Sequence, residues 1–276
     1  MQCKNLIITK VCALLCLSLP LQADVTITQL ANSGVMVSSG QTRIMIDGMV
    51  VETYAVYGGL PAEAATQYKQ TSGVFEDVDL ALVSHRHHEH NQPSHACEFA
   101  QQSEDMRLVS SPQVLGLMRE KCRTFITSSP RVNEIKPDYE NPYVFNHANA
   151  KITVFPLSHG TRKYAKIQNY GHLIELDGVT VLHIGDAAMD PIDFQRAGLD
   201  QVKVDVVMIP FWFFQPGPGI ELINKYLGAP LKIAVHIPPS EMAEVQAYMG
   251  ENFPQVTILG EPLKETRFIG TATQPQ

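Results

Sequence analysis

Apolar residues fall in short blocks separated by turn signals, and the blocks change period along the chain. Residues 25–30, 34–37 and 43–46 alternate or cluster apolar positions, which predicts an opening strand meander ended by Asp47-Gly48. A helix is predicted over 62–69. The run VDLALV at 78–83 is continuously apolar, the pattern of a strand buried on both faces. Helical spacing follows at 92–101 and at 112–121, the latter opened by Pro112. Strands are predicted at 151–157, 170–176 and 179–184, the last two joined by the hairpin signal Asp177-Gly178. A buried strand at 204–209, a helix at 220–227, a strand at 231–235, a helix at 239–249 and a last strand at 256–259 complete the pass. Strands recur from start to finish with helices between them and no linker divides them, which predicts one α/β domain.

The first residues stand outside that pattern. Lys4 and Lys10 flank and precede an apolar stretch from Val11 to Leu19, followed by Pro20 and then Ala23. This is the layout of a secretory signal peptide over residues 1–23, too short for a retained span, which needs ~20 apolar residues. The folded part is then 24–276, secreted or periplasmic, with no stable membrane association after cleavage. The whole chain carries 21 Lys+Arg against 28 Asp+Glu, a formal charge of −7. Residues 1–23 contain two lysines and no acid, so their removal leaves −9. No basic surplus exists for a phosphate backbone, which argues against nucleic acid and for a small-molecule substrate. Cleavage also removes Cys3, Cys12 and Cys16, leaving Cys97 and Cys122 in an oxidising compartment. They either pair or remain two buried thiols; Cα separation decides between the two.

Four of the ten histidines fall within six positions, in SHRHHEHN directly after the buried strand at 78–83. His159, Asp186 and His236 each lie within two residues of a later strand end. Ligands of a shared site in α/β proteins collect at the carboxyl ends of strands. Imidazole and carboxylate suit zinc, and other first-row metals can take the same set.

The segment His85-Arg86-His87-His88-Glu89-His90 resembles the H-x-H-x-D-H motif of the metallo-β-lactamase superfamily. His159 after a strand, Asp186 in a Gly-Asp pair and a late His236 follow in that family's order, and the resemblance runs from about residue 25 to 259. In detail the chain is similar to the branch of broad metal-dependent hydrolases that includes lactonase-like enzymes, through MIPF (208–211) and AVHIPP (234–239). The resemblance implies a four-layer αββα sandwich with a dinuclear site on one edge. It implies that His85, His87 and His159 hold one metal, that Glu89, His90 and His236 hold a second, and that Asp186 bridges both. The implied cofactor is zinc, two ions, with manganese or iron open. The implied catalysis is attack by a hydroxide shared between the ions on an ester, lactone, amide or phosphodiester, with Glu89 and Asp186 as catalytic carboxylates. Glu89 departs from the motif, which has Asp there; its carboxylate is carried outward by one methylene, and it either ligates the second metal, withdraws and leaves that site weak, or serves as a general base through water.

Two other readings of function remain at this stage. One is an iron-containing oxidoreductase of the same fold; such relatives tend to carry a glutamate at the second histidine position, where this chain has His87, or an extra electron-transfer domain. The other is a degenerate member that binds metal or ligand without turnover, kept open by Glu89. Nothing in the sequence specifies a β-lactam, and fold does not fix function.

The remaining candidates have two readings each. His88 reads as a solvent-exposed or ligand-supporting side chain, His95 as a surface or packing residue, and His147 carries no pattern. His172 and His183 read as satisfied core histidines, with orientation of a ligand as the alternative. Asp47 resembles the family's early Asp that supports the metal loop, or is a turn residue; it is not counted as a ligand. Ser84 and Asn91 either bond ligand imidazoles or end a strand and cap a helix. Phe211-Trp212-Phe213-Phe214 either lines a pocket or packs in the core. Arg162, Lys163 and Lys166 read as a solvated loop or as contacts for an anionic group.

Overall fold

The structure is a computed structural model that describes residues 24–270; the signal-peptide expectation for residues 1–23 lies outside the described residues. The first sheet takes strands β1 (Asp24–Gln29), β2 (Val35–Ser39), β3 (Thr42–Ile46), β4 (Leu80–Val83), β5 (Arg107–Ser110) and β6 (Val132–Glu134) in order, with β14 (Glu265–Ile269) outside β1. The second takes β7 (Tyr143–His147), β8 (Ala150–Ser158), β9 (Gln168–Leu176), β10 (Val179–His183), β11 (Val206–Pro210), β12 (Leu231–Val235) and β13 (Thr257–Ile258) in order. Each sheet has an antiparallel half and a parallel half. Pairing turns parallel from β3 onward in the first and from β10 onward in the second. The parallel strands therefore point their carboxyl ends the same way within each sheet, which is where site residues gather.

Side-chain alternation decides the layering. Ile27, Val37, Ile44 and Leu82 of the first sheet meet Ile152, Ile174, Val181 and Met208 of the second in a dry inner core. The opposite face of the first sheet, with Met45, Ala81 and Leu108, is covered by α1 (Ala62–Lys69), α2 (Pro93–Gln102), α3 (Pro112–Arg119) and α4 (Arg123–Ser128). The opposite face of the second, with Leu173, Leu182 and Val207, packs on α5 (Pro191–Arg196), α6 (Gly219–Tyr226) and α7 (Met242–Asn252). This is the four-layer αββα sandwich. β4 is buried at every position because it lies between two strands and between the inner core and helices, as its unbroken apolar run required.

Sequence and structure part at the edges. β14 follows the strand expected to be last, and β5, β6, β7, α4 and α5 lie outside the predicted elements. The helix expected from 239 starts at Met242, since Pro238 and Pro239 hold the preceding chain in a turn closed by Glu241 N–H to Pro238 O. His147 is the last residue of β7 and bonds the Asp79 carbonyl at 2.9 Å. Cys97 of α2 and Cys122 form a disulfide with Cα atoms 5.9 Å apart.

Candidate metal centre

Four strand ends supply the site. His85, His87, Glu89 and His90 occupy the loop between β4 and α2; His159 follows β8, Asp186 lies three residues beyond β10, and His236 follows β12. The structure brings all seven together. One ligand atom each from His85, His87, His159 and Asp186 lies within 4.8 Å of the others, and the same holds for Glu89, His90 and His236. Asp186 sits between the groups: Oδ2 is 3.7 Å from both His85 Nε2 and His159 Nε2 and 3.4 Å from His236 Nε2, while Oδ1 is 3.3 Å from His90 Nε2.

Asp47, one residue beyond β3, is fully buried and organises the first-sheet side. It accepts from Ser84 N–H at 2.7 Å, from Ser84 Oγ at 2.5 Å and from His90 Nδ1 at 2.8 Å. Because the Ser84 hydroxyl donates to Asp47, it must accept from His85 Nδ1, 3.0 Å away. Both rings thus carry a proton on Nδ1 and turn Nε2 towards the centre. Hydrogen-bonded carboxylates and hydroxyls behind ligand imidazoles fix ring orientation in this way. Of the two sequence readings of Asp47, support of the metal loop is the one its contacts match.

The second-sheet side is held by Asn169 on β9, which sequence reasoning missed and no local signal marks. Its Oδ1 accepts Asp186 N–H at 3.0 Å and its Nδ2 donates to Ile184 O at 3.2 Å. The sheets are tied across the site by Tyr170 N–H to Ser84 O at 3.0 Å. Two site residues take left-handed backbone that L side chains rarely adopt, Asp47 (φ 50°) and His236 (φ 66°). Such strain costs on the order of 1–3 kcal/mol and persists where the surroundings dictate it.

The electrostatics of the polypeptide alone describe a site built for cations. Burial pushes His85 well below the usual imidazole range and His159 down to about 4, so both rings are neutral at pH 7. Burial also opposes charge on Asp186, but His236, His90 and His85 outweigh it and hold the carboxyl well below its ordinary value. Burial would likewise lower His90, yet Asp186 and Asp47 raise it to about 10. His85 Nε2, His159 Nε2 and Asp186 Oδ1 are buried with no hydrogen-bond partner, and His90 Nε2 faces His236 Nε2 at 3.0 Å. Unpartnered buried acceptors are rare because each costs roughly 1–3 kcal/mol. Bound metal would satisfy them together, so the residues present fit one.

A cleft of about 500 Å³ opens over this cluster, lined by His87, Glu89, His159 and Asp186 and walled by Tyr57, Tyr164, Met189 and Trp212. Tyr57 and Trp212 both set an edge against His236, with centroids 4.6 and 5.0 Å away. The aromatic run after β11 therefore divides: Trp212 faces the cleft, while Phe211, Phe213 and Phe214 are buried against α6 and α7. Tyr57 stands on a loop closed by Leu60 N–H to Val51 O and clamped by Gln92, whose Oε1 accepts from Val51 and Glu52. Neither Tyr57 nor Tyr164 lies in a periodic or motif-bearing stretch. His88 is half-buried against Tyr54 at 4.6 Å, and His95 is half-buried beside Glu52. Lys163 and Lys166 are exposed, as a solvated loop requires.

The family description "Beta-lactamase superfamily domain" matches residues 42–259. The chain belongs to the metallo-β-lactamase superfamily. Among solved structures it is similar to the metallo-β-lactamase fold protein YhfI from Bacillus subtilis, at 14% identity and TM-score 0.58 over 89% of this chain and 100% of that one. It is equally similar to Igni18, a metallo hydrolase from Ignicoccus hospitalis KIN4/I, at 17% identity and TM-score 0.58 over 89% and 98%. CmlA, a diiron β-hydroxylase from Streptomyces venezuelae, matches at 14% identity and TM-score 0.53 over 89% of this chain and 54% of that one. At these identities the likeness speaks for the metallo-β-lactamase fold alone. No curated protein gives a match to the sequence.

Proposed function

We propose that this metallo-β-lactamase superfamily member is an exported metal-dependent hydrolase acting on a small-molecule ester, lactone, amide or phosphodiester. The observation that carries the reading is the set of buried, unpartnered Nε2 and carboxylate atoms of His85, His159 and Asp186 at the floor of an open cleft. His85, His87 and His159 would hold one zinc ion, Glu89, His90 and His236 a second, and Asp186 would reach both. Ions so placed supply Lewis acidity, which acidifies water and stabilises negative charge developing on a carbonyl or phosphoryl oxygen.

The chain's own residues do the rest. Ser84 and Asp47 keep His85 and His90 in the Nδ1–H form, so that both present Nε2 to the floor. Glu89, partly exposed to the cleft, takes a proton on its carboxylate from the attacking water and returns it to the leaving group. Tyr57, Tyr164 and Trp212 hold the apolar body of the substrate and displace water from the reacting bond. The acidic balance of residues 24–276 supports a small molecule over nucleic acid.

The test is metal content of the purified mature protein together with turnover of an ester, lactone and phosphodiester panel. Two equivalents of zinc and chelator-sensitive hydrolysis are expected. Bound iron with oxygen consumption would favour the oxidoreductase reading, and no turnover with zinc, manganese or iron would leave a binding protein.

A further inference from the structure

Under the metal centre, where the inner core ends, two histidines outside the motif pair across β9 and β10: His172 and His183 are register partners, each about 1% exposed. They occupy the inner face of the second sheet in line with Ile174 and Val181. Their surroundings differ. His183 Nδ1 lies 3.2 Å from Gly185 N, and its Nε2 lies 3.3 Å from the Ser33 carbonyl oxygen. Gly185 N–H can only donate, so Nδ1 accepts and the proton sits on Nε2, which donates to Ser33. A neutral ring with its proton on Nε2 makes both bonds; neither an Nδ1–H ring nor an imidazolium does.

Each end of this bridge touches the carrier of a ligand. Ser33, in the turn between β1 and β2, has its Oγ 3.0 Å from His90 Nδ1. Gly185 directly precedes Asp186 and takes a left-handed φ of +55° that commits the direction of the next residue. Ser33 and His90 belong to the first sheet and Asp186 to the second, and His90 Nε2 lies 3.3 Å from Asp186 Oδ1.

We propose that His183 is a positioning residue that sets the spacing between His90 and Asp186 by tying the Ser33 turn to the Gly185 turn. The inference rests on the metal-centre reading above. It concerns a residue that ligates nothing and whose role comes from two backbone contacts. Side chains that orient metal ligands are typically worth ~10–100-fold in metal affinity.

The experiment compares zinc affinity, by competition with a chromophoric chelator, across four variants whose folding is checked by circular dichroism. His183→Leu removes both bonds and should weaken zinc binding about tenfold. His183→Asn keeps an acceptor near Gly185 but falls short of Ser33. His183→Gln extends an N–H towards Ser33. Each should fall between wild type and His183→Leu. His172→Leu, equally buried, should stay within about twofold of wild type whatever its effect on melting, given that no ligand carrier contacts it in the way His183 does. Nitrogen-15 spectra of the metal-free protein should show His183 as the Nε2–H tautomer, an arm that needs no variant to fold.

A folded His183→Leu binding zinc as tightly as wild type, or an Nδ1–H tautomer, would overturn the proposal while leaving the metal centre standing. Wild type that binds no zinc would overturn the metal centre and this inference with it.

Discussion

The Asp47 carboxylate and the His90 ring are joined by a 2.8 Å hydrogen bond where neither side chain reaches solvent. The same carboxylate accepts from the amide and hydroxyl of Ser84, so a residue that occupies no proposed ligand position orients two that do, His90 directly and His85 through Ser84. Burial works against its charge, and His90 and His183 outweigh that cost, leaving its pKa lowered.

Replacing Asp47 by Ala would strand three donors in the interior. Breaking one buried charged pair costs about 3–5 kcal/mol, and loss of an orienting carboxylate about 10–100-fold in metal affinity. Both losses are expected in Asp47→Ala, read by urea unfolding of the metal-free protein and by chelator competition. Asp47→Asn preserves shape but must turn an amide N–H toward a donor or lose one, and should lie between. Wild-type zinc affinity in a folded Asp47→Ala would end the claim that Asp47 positions the ligands.

His172 gives the metal-free protein an acid limb. Burial, then His183, depresses it to about 3, against an ordinary value near 6.5. The unfolded chain therefore binds the extra proton first. Stability attached to this residue is complete above pH ~6.5 and falls as pH drops towards 3, by roughly 1.4 kcal/mol per unit at most. Urea midpoints of metal-free wild type at pH 7, 5.5 and 4.5 should fall more steeply than those of His172→Gln. Parallel slopes would mean that His172 is protonated in the fold.

Much of the centre was legible because its chemistry is local in sequence. VDLALV announces a strand buried on both faces, and a histidine-rich segment right after it has only the strand's carboxyl end to occupy. His159, Asp186 and His236 stand at three further strand ends for the same reason. Asn169, Ser33 and Tyr57 were not legible. Asn169 acts on a residue 17 positions away across a hairpin, Ser33 on one 57 positions away, and Tyr57 depends on how Gln92 clamps its loop. β6, β7 and β14 are sheet-edge strands with partly exposed faces, so their apolar spacing is diluted. His183 could not be separated from an ordinary core histidine, because the Ser33 carbonyl that its bridge reaches comes from the other sheet, 150 positions away.

Gly185 should be intolerant of even one methyl group. A Cβ there would stand 2.3 Å from Asn169 Oδ1, the atom that accepts Asp186 N–H, and 2.9 Å from Ser84 Cβ, on backbone at φ +55°. Gly198 is the control, at φ +68° with nothing within 4 Å of the added carbon. Gly198→Ala should cost only the left-handed backbone, about 1–2 kcal/mol, and leave zinc binding intact. Gly185→Ala adds overpacking of about 1–3 kcal/mol and displaces Asn169, so zinc affinity should fall as well. Equal unfolding midpoints and equal affinities for the two variants would contradict this.

Glu89 is the one residue of the cluster that the superfamily motif writes differently, and its backbone is not free to compensate. Its carbonyl accepts from Asn32 Nδ2 at 3.2 Å, and the next residue is held by Asp47. Any adjustment for the extra methylene falls to the side chain, whose Oε1 lies 3.8 Å from His87 Nδ1. The two proposed sites should then respond differently to this position. Glu89→Gln keeps length and removes charge. It should retain the zinc held by His85, His87 and His159, lose the other equivalent, and lower turnover of any panel substrate by about 10²–10⁴-fold, the range for loss of a proton-transfer group. Glu89→Asp restores the motif and should keep two equivalents, with turnover changed up to about 10²-fold by a ligand moved ~1 Å. Elemental analysis alongside kinetics reads both variants. Loss of both equivalents in Glu89→Gln, or no change in either metal or turnover, would remove Glu89 from the second site and from the proton transfer assigned to it.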